Sequence, residues 1–179
     1  MSKPKSAYSI PGKVGKMDTH IIVVWVDNES GVLARVVGLF SGRGYNIESL
    51  AVAEVDQDHH KSRITIVTNG SPMTISQIKS QLERIVPVHS VKDLTTEGPS
   101  IEREMALIKV VCDGDNREEV IRLSEVYRAK IVDTTKNSFI FELTGANDKI
   151  NSFIEMLHPL GLEDISRTGL AAISRGKKE

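Results

Sequence analysis

The sequence predicts an α+β protein made of two ferredoxin-like βαββαβ units, each an antiparallel sheet with two helices on one face. Three observations lead there. Apolar runs of strand and helix period alternate in the order strand, helix, strand, strand, helix, strand between residues 18 and 94. The same order recurs from about Met105, after a break at Gly98-Pro99-Ser100. The length, 179 residues, gives two small units enough chain for a modest core each.

His20 to Val26 is an Ile- and Val-rich run, apolar apart from His20, as in a strand covered on both faces. Asp27-Asn28-Glu29-Ser30-Gly31 interrupts it, and Val32, Leu33, Val36, Val37, Leu39 and Phe40 then recur at helical spacing. Ser41-Gly42-Arg43-Gly44 ends that helix, because glycine takes the left-handed cap conformation easily. A second strand is expected from about Asn46 to Val55 and a third from about Ser62 to Thr68, joined by a polar turn at Asp56 to His60. Ile75, Ile78, Leu82 and Ile85 line one face of a second helix. Pro72 lies near its start, where a missing N–H is tolerated, and Pro87 closes it before a strand over Val88 to Leu94.

In the second half, Leu107 to Cys112 reads as a strand and Asn116 to Ala129 as a helix carrying Val120, Leu123 and Tyr127. A strand pair follows about Asn137, and a second helix is marked by Ile150, Phe153, Ile154 and Leu157. A last strand is expected from about Ile165 to Ile173. Few residues match between the halves, so the repeat is one of architecture. The division expected is a flexible N-terminal tail at 1–17, a first unit at 18–96, a linker at 97–104 and a second unit at 105–176.

Composition excludes several classes. With 40% hydrophobic and 26% charged residues and a net charge of -1, the chain reads as an ordinary globular protein with no basic field for nucleic acid. No run approaches the ~20 apolar residues of a spanning helix. The tail, with Lys3, Lys5, Lys13 and Lys16, lacks the apolar core of a secretory signal. A single cysteine, Cys112, allows no intrachain disulfide, so a reducing, cytoplasmic compartment is expected. Nucleophile elbows, phosphate loops, H-E-x-x-H and paired cysteines are missing from the sequence. Asp56, Asp58, His59 and His60 are metal-ligand types, but consecutive residues on a solvated turn rarely converge on one ion.

The segment from Asp27 to Leu33 carries the most information, because a buried strand there turns directly into a helix. The first N–H groups of a helix lack internal partners and bear partial positive charge, so they attract a carboxylate. Gly31 leaves that backbone uncovered, and Asn28 offers an amide oxygen to an ammonium group. Together they can hold both ends of a free amino acid, although Asn, Ser and Gly are equally the ordinary residues of turns and caps.

Asn28-Glu29-Ser30-Gly31-Val32-Leu33-Ala34-Arg35-Val36, then Gly38-Leu39-Phe40-Ser41 and Arg43-Gly44-Tyr45-Asn46-Ile47-Glu48-Ser49-Leu50, resembles the signature of the acetohydroxyacid synthase (acetolactate synthase) small-subunit family. Glu102-Arg103-Glu104-Met105-Ala106-Leu107-Ile108-Lys109-Val110 resembles that family's second signature, at the head of its C-terminal domain. The likeness spans Asp18 to Gly176 and implies an N-terminal ACT domain followed by an ACT-like one.

It further implies a noncatalytic regulator in branched-chain amino-acid biosynthesis. Such a subunit activates a separate catalytic large subunit and confers feedback inhibition by valine, with leucine or isoleucine as further effectors to consider. The resemblance places the effector where two ACT units pair by their sheet edges. Asn28, Gly31, Val32 and Leu33 would come from one chain, and Asn46 and Ile47 from the other. Thiamine diphosphate, Mg²⁺ and FAD would belong to the catalytic partner, with no cofactor on this chain. Packing an isopropyl group on Ile or Val is worth about 1.5 to 3 kcal/mol, enough to favour valine over alanine and too little to exclude its larger homologues.

In the second unit, Asp113-Gly114-Asp115-Asn116-Arg117 sets two acids where a carboxylate would bind, so no second amino-acid site is expected. Family resemblance assigns this half to dimerisation or to contact with the catalytic subunit. Glu102, Arg103 and Glu104 read either as part of such a contact or as a solvated charge run. An RNA-binding module of the same element order is the alternative function. It is disfavoured because such modules stack bases on aromatic strand residues, whereas the third strand reads Arg63-Ile64-Thr65-Ile66-Val67. An acylphosphatase-like enzyme would need a catalytic arginine in the first loop, which has none.

Overall fold

The computed structural model describes residues 17–176. The expected tail at 1–17 lies outside the described residues except for Met17.

Strand β1 (Asp18–Asp27) is followed by helix α1 (Val32–Gly42), β2 (Ser49–Asp56), β3 (Lys61–Gly70), α2 (Pro72–Leu82) and β4 (Val88–Asp93). The sheet order is β2-β3-β1-β4, with antiparallel pairing throughout. Alternation along β1 sends Ile22, Val24 and Val26 to the helices, where they pack with Val32, Val36 and Phe40 of α1 and Ile75, Ile78 and Leu82 of α2. Helix α2 begins as its sequence implies: the Ser71 hydroxyl accepts from the Thr74 N–H, and Pro72 fills the first turn.

The second unit repeats the plan with β5 (Ser100–Val111), α3 (Gly114–Tyr127), β6 (Lys130–Thr134), β7 (Ser138–Gly145), α4 (Asn147–Leu157) and β8 (Leu162–Arg167). The order β6-β7-β5-β8 matches the first sheet position for position. Phe141 and Phe153 are fully buried and meet edge to face at 6.0 Å among Ala106, Ile108, Val110 and Ile150. Cys112 lines this core, and burial raises its thiol pKa above the ordinary value. Alkylation of the native chain by iodoacetamide, followed by mass spectrometry, is therefore expected to run at least ~10-fold slower than in denaturant.

In the second half of the chain three features differ from the sequence expectation. The last strand, expected as one run from Ile165 to Ile173, is two: β8 stops at Arg167, the chain turns through Gly169 at φ +79°, and β9 (Ala171–Ser174) pairs with the start of β5, Ser100 to Arg103. The segment 97–104 is only partly a connection, since β5 begins at Ser100. Glu104 is no part of a solvated run. Its carboxylate is 7% exposed and takes two hydrogen bonds from the Arg167 guanidinium, at 2.9 and 2.6 Å. Sequence spacing carried no sign of this pair, because its members lie 63 positions apart.

Two-faced burial of β1 also has an origin that the run of Ile and Val only implied. Ile21 and Val23, on the face away from the helices, pack with Val67 and Leu94 and are covered by Leu170 and Ala172 of the C-terminal segment. The second unit thus closes the open face of the first. Arg63 spans the same seam, donating to the Ala172 carbonyl while its guanidinium lies 5.7 Å from the Trp25 ring.

Candidate functional site

Between β1 and α1 the chain makes a short, exposed loop. Its entry is fixed by backbone bonds from Asp27 N–H to the Pro87 carbonyl at 3.0 Å and from Asn28 N–H to the His60 carbonyl at 2.6 Å. The Asp27 carboxylate also meets the His89 ring at 2.5 Å. These contacts hold the loop to the ends of β3 and β4, so its shape is set by the sheet.

Gly31 occupies the N-cap of α1 at φ +86°, a left-handed conformation that side-chain-bearing residues rarely adopt, and no side chain caps the helix. The N–H groups of Gly31, Leu33 and Ala34 have no hydrogen-bond partner among the described residues. Added to the helix dipole, they make an exposed, electropositive backbone patch. A Cβ built on Gly31 would meet nothing within 4 Å, so the glycine serves the backbone conformation and leaves the patch open. Asn28 is exposed beside it, and Leu33 presents an apolar side chain that is 41% exposed. Val32 is placed differently: its side chain is 3% exposed within the core, and its N–H is directed to the Glu29 carbonyl at 3.3 Å.

Asn46 and Ile47 lie past the other end of α1, in the segment that leads into β2 rather than on the strand itself. Helix α1, eleven residues and about 16 Å long, runs between Gly31 and the segment of Asn46 and Ile47. Within one chain they therefore do not converge. The Asn46 amide donates to Glu48 at 2.6 Å, and the Asn46 carbonyl accepts from the Thr68 hydroxyl at 2.6 Å. Glu48 also accepts from Asn69 at 3.1 Å, and it escaped the sequence reading although it stands inside the motif that reading quoted.

The metal-type residues of the β2–β3 turn serve the turn itself. Asp56 accepts from the His59 N–H at 3.1 Å and meets its ring nitrogen at 2.9 Å, contacts that lower the Asp56 pKa. The sheet face that an RNA-binding module would offer to bases carries Ile21, Val23 and Val67 and is already covered by Leu170 and Ala172.

Two tandem units of one topology, each with its helices on one face, and an uncapped glycine-opened helix start after the first strand define a tandem ACT-type protein. Residues 22–90 match the model of the ACT domain of acetohydroxyacid synthase small subunits, and residues 103–176 match that of the small subunit of acetolactate synthase. A probable acetolactate synthase small subunit from Archaeoglobus fulgidus is 42% identical over 89% of this chain and 99% of its own length. The acetolactate synthase small subunit of Haemophilus influenzae is 46% identical over 89% of this chain and 97% of its own. The crystal structure of the small subunit from Thermotoga maritima superposes with a TM-score of 0.81 at 38% identity, covering 90% of this chain and 99% of that one. The chain belongs to the acetolactate synthase small-subunit family.

Proposed function

We propose that this chain is the noncatalytic regulatory subunit of a cytoplasmic acetolactate synthase. It activates a catalytic large subunit, which holds thiamine diphosphate, Mg²⁺ and FAD, and makes that subunit sensitive to valine. Family membership supports the subunit role. The observation that carries the effector reading is the open N-terminus of α1, where Gly31 stands at positive φ with no capping side chain. A carboxylate seated on that backbone, an ammonium on Asn28 and an aliphatic side chain against Leu33 account for the three parts of a branched-chain amino acid.

The edge of β2 supports a two-chain site. No strand of the described residues pairs with its outer side, and Val52 and Val55 are 43% and 50% exposed there. The end of β2 lies next to the β1–α1 loop, because the turn that follows it is tied to Asn28 through His60. Antiparallel pairing of β2 with its copy sets the start of one strand beside the end of the other. It thereby brings Asn46 and Ile47 of a neighbour to Asn28, Gly31, Val32 and Leu33. Mixing the chain with its catalytic subunit is expected to raise acetolactate formation, and valine is expected to lower it again. A complex that is activated yet indifferent to valine, leucine and isoleucine alike would remove the effector reading.

A further inference from the structure

Residues that follow Asn46 are fastened to the second unit. The Leu170 N–H donates to the Ser49 hydroxyl at 2.9 Å. Gly169, at φ +79°, is pressed so closely that an added Cβ would stand 3.0 Å from both the Leu50 carbonyl oxygen and the Ser49 hydroxyl. Leu170 and Ala172 are then anchored in the apolar cluster of Ile21, Val23, Val67 and Leu94. Beyond that turn, β9 is hydrogen-bonded to β5 from Ser100 to Arg103, and β5 continues as the central strand of the second unit. A shift of Ser49 and Leu50 therefore reaches that strand through hydrogen bonds and packed atoms, without crossing a flexible link.

The other side of Ser49 connects to the effector segment. One N–H of the Asn46 amide is held by Glu48, whose own N–H is held on the Val67 carbonyl at 2.8 Å. A ligand that engages the second N–H or the oxygen of the Asn46 amide acts on a group that Glu48 already holds. Glu48 lines a groove of about 510 Å³ between the units, together with Thr19, Glu102, Arg167 and Thr168. A movement of Asn46 on ligand binding is therefore felt at Glu48, one residue from Ser49 and within the seam.

We infer that the contact of Gly169 and Leu170 with Ser49 and Leu50 is the element that transmits effector occupancy at Asn46 and Ile47 to the second unit. The inference rests on the effector reading above and goes beyond it by naming the route. Ser49 and Gly169 are positioning residues in this scheme, with no ligand contact assigned to either.

The test separates binding from response. Valine binding is measured by calorimetry on the full chain, and valine inhibition on the complex reconstituted with the catalytic subunit, for the parent, Ser49→Ala and Gly169→Val. The variants are expected to bind valine within threefold of the parent. The concentration giving half-inhibition is expected to rise at least threefold for Ser49→Ala and at least tenfold for Gly169→Val. If Gly169→Val does not fold, Ser49→Ala decides alone. Inhibition that stays at the parent's level overturns the inference and leaves the effector site standing. Binding and inhibition that fall together overturn it as well, since the seam would then merely support the pocket. A parent that binds no valine overturns the effector reading and the inference with it.

Discussion

Gly31→Asp is expected to abolish valine inhibition while leaving activation of the catalytic subunit close to that of the parent. The position tolerates the change sterically, since an added Cβ has open space around it. Its φ of +86° suits aspartate better than most side chains, because Asp and Asn visit the left-handed region with local hydrogen bonds. The new carboxylate then neutralises the positive helix start and stands where the ligand's own carboxylate must sit. Like charges forced together in a recognition site are worth several kcal/mol, so about 3 kcal/mol, or roughly 100-fold in affinity, is the scale of the loss. Gly31→Ala serves as the control: it carries the backbone strain of roughly 1 to 2 kcal/mol without the charge, and should weaken valine less. Calorimetry with valine and a valine titration of acetolactate formation measure both. An aspartate variant that remains as sensitive as the parent would place the effector elsewhere.

The largest stability effect is expected at the pair Glu104 and Arg167. Removing the guanidinium by Arg167→Met leaves the Glu104 carboxylate, 7% exposed, without its two charged hydrogen bonds. Breaking such a pair from one side destabilises by about 3 to 5 kcal/mol, because the remaining charge stays out of water. At ~2–4 °C per kcal/mol for a chain of this size, the melting temperature should fall by roughly 10 °C. Arg167 also donates to Asn147 at 2.7 Å and Asn151 at 2.9 Å, so it ties β8 to the start of α4. The double variant Glu104→Met/Arg167→Met removes both charges and is expected to recover most of the loss. Calorimetric melting of the two variants against the parent checks this, and an Arg167→Met variant within about 1 kcal/mol of the parent would show the pair to be no more than a surface contact.

Much of this molecule was legible along the chain. The spacing of Ile22, Val24 and Val26 against Val32, Val36 and Phe40 states which sides of β1 and α1 meet, because strand and helix periods differ and each exposes one apolar side to its partner. The loop from Asp27 to Gly31 was legible for a similar reason: capping and left-handed turns are local, and the residues that permit them sit within a few positions of one another. Boundaries were less secure, since β5 begins at Ser100 inside the expected linker and Asn46 precedes β2. Strand ends are decided by which neighbour continues the ladder, and that neighbour was β9 for the start of β5, Ser100 to Arg103.

The sequence by itself determined the order of the elements, the two helix-backed cores and the glycine that opens the start of α1. Only the tertiary structure decided that Leu170 and Ala172 cover the outer face of β1, that Glu104 is buried against Arg167, and that Glu48 holds the Asn46 amide. The physical reason is range. Periodicity records that a face is apolar, and it cannot name the segment that covers it when, as with Ser49 and Leu170, the partners stand 121 positions apart.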